Sequence, residues 1–71
     1  MKYFLIIWVC SFGNSIECGP AMQSPIIYSS WSECSKGAYI ESWNILNKMK
    51  PELIDEHHIG TRYTCKVDRL I

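Results

Sequence analysis

The chain has 71 residues, 48% of them hydrophobic, with 7 basic side chains against 7 acidic ones, so it is formally neutral. A neutral chain of this length holds one small domain and has no basic surplus to attract nucleic acid through net charge. A core of that size supplies only about 3–5 kcal/mol, so the 4 cysteines weigh heavily.

Met1, Lys2 and Tyr3 form a short segment with one positive charge, followed by the unbroken apolar run Phe4–Cys10 and then Ser11, Phe12 and Gly13. A charge, an apolar run and small residues in that order are what signal peptidase reads. Residues 1–15 are therefore expected to be a secretory signal peptide, cut after Ser15 or, in the other frame, after Gly13. A spanning helix needs about 20 apolar residues. This run ends sooner, at Asn14 and Glu17, and no stable membrane span is expected. The remaining reading makes residues 4–10 a buried strand of an uncleaved chain.

Loss of the leader removes Cys10 and leaves Cys18, Cys34 and Cys65 in an oxidising compartment. Three is odd. One bridge forms, and one thiol stays free or joins a partner chain. Loop closure favours each of the three pairings by about 3–4 kcal/mol, too alike to select one.

Residues 16–27 read as an extended segment, since Gly19-Pro20 signals a turn and Pro25 further discourages helix. Residues 28–37 are rich in serine. Beyond them Tyr39, Ile40, Trp43, Leu46, Met49 and Leu53 recur at threes and fours, which is helical spacing. Pro51 kinks this helix or opens a second one, with Glu52 near its positive end, and Gly60 stops the pattern. The stripe faces a core by default. So short a chain has little to cover it, however, and a binding surface is the other reading. Residues 61–67 are rich in β-formers and read as a strand. The expected fold class is a small disulfide-containing secreted domain, largely irregular, with short strands, one amphipathic helix near 38–58 and no large core.

Chemistry-bearing clusters are sparse. In Asp55-Glu56-His57-His58 the adjacent histidines diverge on a helix, and no zinc spacing is present, so neither metal nor cofactor is expected. Pairing Cys34 or Cys65 with His57 as a nucleophile conflicts with oxidation after export, so no enzyme is expected either. Ser30-x-x-Glu33 fits a capping box, which would put Trp31 on a helix.

Tyr28, Trp31 and Cys34 are spaced as Y-x-x-W-x-x-C, residues 31–35 read W-S-E-C-S, and residues 60–65 read G-T-R-Y-T-C. At these two places the chain resembles the thrombospondin type 1 repeat, whose pattern runs W-x-x-W-S-x-C-S-x-x-C-G and later G-x-x-x-R-x-R-x-C. The resemblance makes residues 28–71 one repeat-like segment with a helical insertion. It implies a thin three-stranded body in which arginine planes stack on aromatic faces, contacts that contribute about 0.5–2 kcal/mol each. Tyr28, Trp31 and Arg62 would be the stacking or binding residues. Cys34–Cys65 would be the bridge, Cys18 would be unpaired or intermolecular, and Trp31 would be a C-mannosylation site. Arg62 stands three before Cys65, where the family has arginines two and four before its cysteine. Strand alternation therefore sends Arg62 to the face opposite Cys65 unless a bulge intervenes.

The expected function is that of a secreted, non-enzymatic binding protein. It would make adhesive contacts with matrix, a glycan or a cell-surface protein, with a disulfide-linked partner through the odd cysteine. The alternative is a short secreted effector, toxin-like or signalling, with one helix and one disulfide, or a fragment of a longer extracellular protein.

Overall fold

The apolar run near the N-terminus is rich in isoleucine, valine and aromatics, residues that fit a pleated, half-buried surface. In the computed structural model, which describes residues 2–68, it forms strand β1, Lys2–Phe12. The turn at residues 13–15 folds the chain back into β2, Ile16–Cys18, in the register Cys10↔Cys18. Gly19-Pro20 interrupts the return strand, and its second part, β3 (Met22–Tyr28), pairs with the first half of β1. β2 and β3 thus occupy successive stretches of one edge of β1.

Helix α1, Trp31–Asn47, follows, then α2, Pro51–His57, with Pro51 in its first turn. His58 adopts the left-handed conformation (φ 52°) that ends α2, and β4, Ile59–Asp68, begins at once. β4 pairs antiparallel with the free edge of β1 from Ser11↔Ile59 to Lys2↔Asp68, with no slip in register. β1 is therefore the centre of the sheet, and β3 and β4 run in the same direction on either side of it. Strands so related need a long crossover, which α1 and α2 supply.

One face of the sheet receives α1. Leu5 and Ile7 of β1 are buried with Cys34 and Ala38 of α1, and Tyr3, Tyr28, Ile45, Tyr63 and Cys65 close the margin. Fully burying Leu5 and Ile7 contributes about 1.5–3 kcal/mol each. The core is small, and two disulfides supplement it, Cys34–Cys65 between α1 and β4 and Cys10–Cys18 across the first hairpin.

Several expectations are corrected. The chain is not largely irregular, since a four-stranded sheet and two helices account for most of it. The helical region begins at Trp31, seven residues before the expected 38, and is two helices. Gly60 lies within β4, and α2 ends before it at His57. Phe12 covers Gly60, with a ring carbon 3.0 Å from where a Cβ would stand. In the full chain residues 2–12, which lie within the expected leader, form the central strand. That strand belongs to the uncleaved chain, and the expectation of a signal peptide stands beside it. Cys18 is bonded to Cys10, and no cysteine among the described residues is free. The turn at 13–15 aligns those two cysteines, a pairing hidden from any reading that discards Cys10.

Candidate functional site

The geometry of α1 is set at its first turn. The Glu33 amide donates to Ser30 Oγ at 3.1 Å, and Ser29 Oγ donates to Glu33 Oε2 at 2.6 Å. A serine accepting from the residue three positions on satisfies an otherwise orphaned amide, and Glu33 also lies near the positive helix end. Trp31 therefore starts a helix, with 54% of its surface exposed.

The side of α1 turned to the sheet carries Cys34, Gly37, Ala38, Ser42 and Ile45. The disulfide to Cys65 anchors it, with the two Cα atoms 6.2 Å apart. Thr61 Oγ1 donates to Ser42 Oγ at 2.7 Å, and Ser35 Oγ and the Tyr63 hydroxyl lie 2.8 Å apart. These small side chains let the helix approach closely. The Tyr28 phenol occupies the space where Gly37 would carry a Cβ.

Apart from Ile45, the large apolar residues of α1 consequently lie away from the sheet. Tyr39, Ile40 and Trp43 are 66%, 61% and 65% exposed. Leu46 and Met49 are half-buried, and Leu53 of α2 is exposed. Threes and fours establish that a stripe exists without saying which way it turns. Here Tyr39 is one residue, about 100° of helix, from the fully buried Ala38. Tyr39 leans towards β4, its ring meeting that of Tyr63 edge-on at 5.7 Å. A hydrogen bond with the Tyr63 hydroxyl, followed by repulsion between the two groups when charged, raises the Tyr39 phenol above its ordinary value. Ile40 leans the other way and lines a groove of about 380 Å³ with Ile26, Tyr28 and Gly37, bordered by Glu33, Lys36 and Glu41.

Tyr28, Trp31 and Arg62 are not brought into one stack. Tyr28 ends β3 beneath α1, Trp31 opens α1, and Arg62 stands opposite Trp8 in the β1–β4 ladder. That ladder has no bulge, so Arg62 points to the sheet face away from α1, opposite to Cys65. On this second face Phe4, Ile6 and Trp8 lie beside Lys66, Thr64 and Arg62. The sequence reading missed it because its apolar half lies in the supposed leader. Its signal was the odd spacing of Arg62 and Cys65, three residues apart, which puts them on opposite faces of a strand.

Among the described residues no group of three or more His, Cys, Asp and Glu is arranged to hold a metal ion, and no helix is long and apolar enough to cross a membrane. His57 and His58 act through their backbone, their carbonyls accepting from Ser11 Oγ at 2.8 Å and from the Phe12 amide at 2.9 Å. Comparison with family models, with curated proteins and with solved structures finds no match.

Proposed function

We propose that the protein is a small extracellular binding protein, held by disulfides and without catalytic activity, that engages a protein or glycan on a cell surface or in the matrix through the outer face of α1. The observation that carries this reading is the exposure of Tyr39, Ile40 and Trp43 on a helix that packs through its small residues. Exposed aromatics clustered on so small a surface mark an interface, and tyrosine and tryptophan dominate binding energy where they are buried by a partner. The two disulfides support an oxidising location. The resemblance to the thrombospondin type 1 repeat contributes less, since Trp31 and Arg62 lie on separate elements; Trp31 in W-x-x-C remains the proposed site of C-mannosylation.

The test compares the oxidised full-length protein with its Tyr39→Ser/Trp43→Ser variant for saturable binding to intact cells and to a matrix-coated surface. Both side chains are exposed, so the variant keeps the fold. Binding should weaken at least about tenfold, as expected for loss of two aromatic anchors. Equal binding by both proteins would refute the assignment of this face. Failure of the cells to export the protein would refute the proposed location.

A further inference from the structure

The outer edge of β4 is open, since among the described residues β1 is its only sheet partner. The phase of its hydrogen bonds follows from one contact. The Phe12 amide donates to the His58 carbonyl at 2.9 Å, which makes these a hydrogen-bonded pair, and the ladder continues from there without a slip. Pairs alternate along an antiparallel ladder. The backbone groups of Gly60, Arg62, Thr64 and Lys66 therefore point to β1, and those of Thr61, Tyr63, Cys65 and Val67 point outward. On the far edge of β1 the Gly19 amide donates to the Val9 carbonyl at 2.9 Å, in keeping with the same phase.

The two edges of the sheet differ. The β3 edge carries Pro25 and an irregularity in register between Phe4 and Ile6, both of which obstruct addition of another strand. β4 has neither feature. It has two exposed cations, Arg62 and Lys66, side by side with Thr64 on the face away from α1. The three rungs Phe4–Lys66, Ile6–Thr64 and Trp8–Arg62 carry no carboxylate, and the one acidic position of β4 on this face, Asp68, shares its rung with the basic Lys2.

We propose that this edge takes up an extended acidic segment of another protein as a further strand, with carboxylates four residues apart set against Arg62 and Lys66. An outward row of alternating N–H and C=O groups is matched in full by another strand and by neither a lipid nor a glycan. The side chains specify charge. Opposite charges across a ladder attract and like charges repel, which makes a second copy of this chain the poorer occupant. Two β4 edges paired about Thr64 set Arg62 against Lys66. Of the two shifts by one hydrogen-bonded step, one leaves the cations on diagonals and the other sets Arg62 alone against an acid, Asp68. An acidic strand meets both cations with carboxylates. The edge adjoins the aromatic face of α1 at Tyr39, whose ring meets that of Tyr63, but it is formed by backbone groups of β4, and the inference goes beyond the function proposed above.

The probe is a short synthetic peptide of alternating valine and threonine with two glutamates four residues apart, added to the oxidised full-length protein. Amide hydrogen exchange is followed residue by residue. The peptide should slow exchange at Thr61, Tyr63 and Cys65, and N-methylation of alternate peptide amides should abolish the effect. The Arg62→Glu/Lys66→Glu variant should bind about tenfold more weakly, as two reversed cross-strand pairs imply, and should instead prefer the peptide with lysines for glutamates. Slow exchange at Arg62 and Thr64 reports that the β1–β4 ladder is intact in each variant. The Trp43→Ser variant should bind the peptide normally, which separates this test from that of the helix face. Unchanged exchange at the three outward amides, or indifference to charge reversal, would overturn the proposal. So would protection that grows with protein concentration alone, because a second copy would then hold the edge.

Discussion

Gly37 sits in the middle of α1, where glycine costs about 1 kcal/mol relative to alanine. Its place is explained by the Tyr28 phenol, which lies where a Cβ would project. Gly37→Ala should therefore destabilise the protein by about 1–3 kcal/mol despite the better helix former, because overpacking outweighs propensity. In a Tyr28→Ala background the same change should cost less, and urea unfolding of the four proteins of this cycle measures the difference. Tyr39 offers a second test. Its phenol is raised by Tyr63 above the ordinary value of 10.0, so the unfolded chain loses this proton first. The contribution to stability is complete below that value and disappears as pH climbs through the higher folded one. Tyr63→Phe should bring the Tyr39 titration back down, as followed by phenolate absorbance.

Of the elements, β4 was readable as a run of β-formers, and α2 was readable from Pro51 and the apolar spacing that continues to Leu53. The early start of α1 was not. Its first turns are W-S-E-C-S-K-G, poor in good helix formers, and the residues turned to the sheet are small enough to leave no hydropathy signal. The Ser30–Glu33 pair was the available evidence, and a cap of this kind contributes about 1 kcal/mol. The aromatic stripe was visible, but its direction depended on the link from Cys34 to Cys65, which turns the small side inward. The two disulfides should differ in effect. Cys34 and Cys65 stand 31 positions apart and Cys10 and Cys18 stand 8 apart, so each closed loop, counting both ends, is one residue longer than that. Replacing each pair by alanine should cost about 3.7 and about 2.6 kcal/mol respectively, from the loop entropy released in the unfolded chain. Denaturant unfolding of the two double variants checks the order.

For the molecule as a whole, everything depends on β1. β2, β3 and β4 each pair with it and not with one another. A chain starting at Ile16 would keep Cys34, Ala38 and Ile45 of the core and its margin on α1, but would lose Tyr3, Leu5, Ile7 and every sheet hydrogen bond. Residues 16–71 alone should show no strand signal in circular dichroism and should expose one alkylatable thiol at Cys18, whereas the full chain exposes none. A strand-rich spectrum from the shortened chain would contradict the topology. The amino-acid pattern of residues 4–10 serves equally well as a leader and as a buried central strand, because both need an uninterrupted apolar run of this length. Intact mass of material recovered outside the cell decides which role it takes there.

The position of β1 also has a consequence for birth of the chain on the ribosome. Synthesis proceeds from the N-terminal side, so β1 is made before its longest partner, β4, with both helices in between. Until β4 emerges, one whole edge of this greasy ribbon has no partner, and pairings between remote parts of a chain form slowly even afterwards. Between its own emergence and that of β4 it is open to any factor that surveys nascent polypeptides for hydrophobic stretches, and the finished sheet covers that edge.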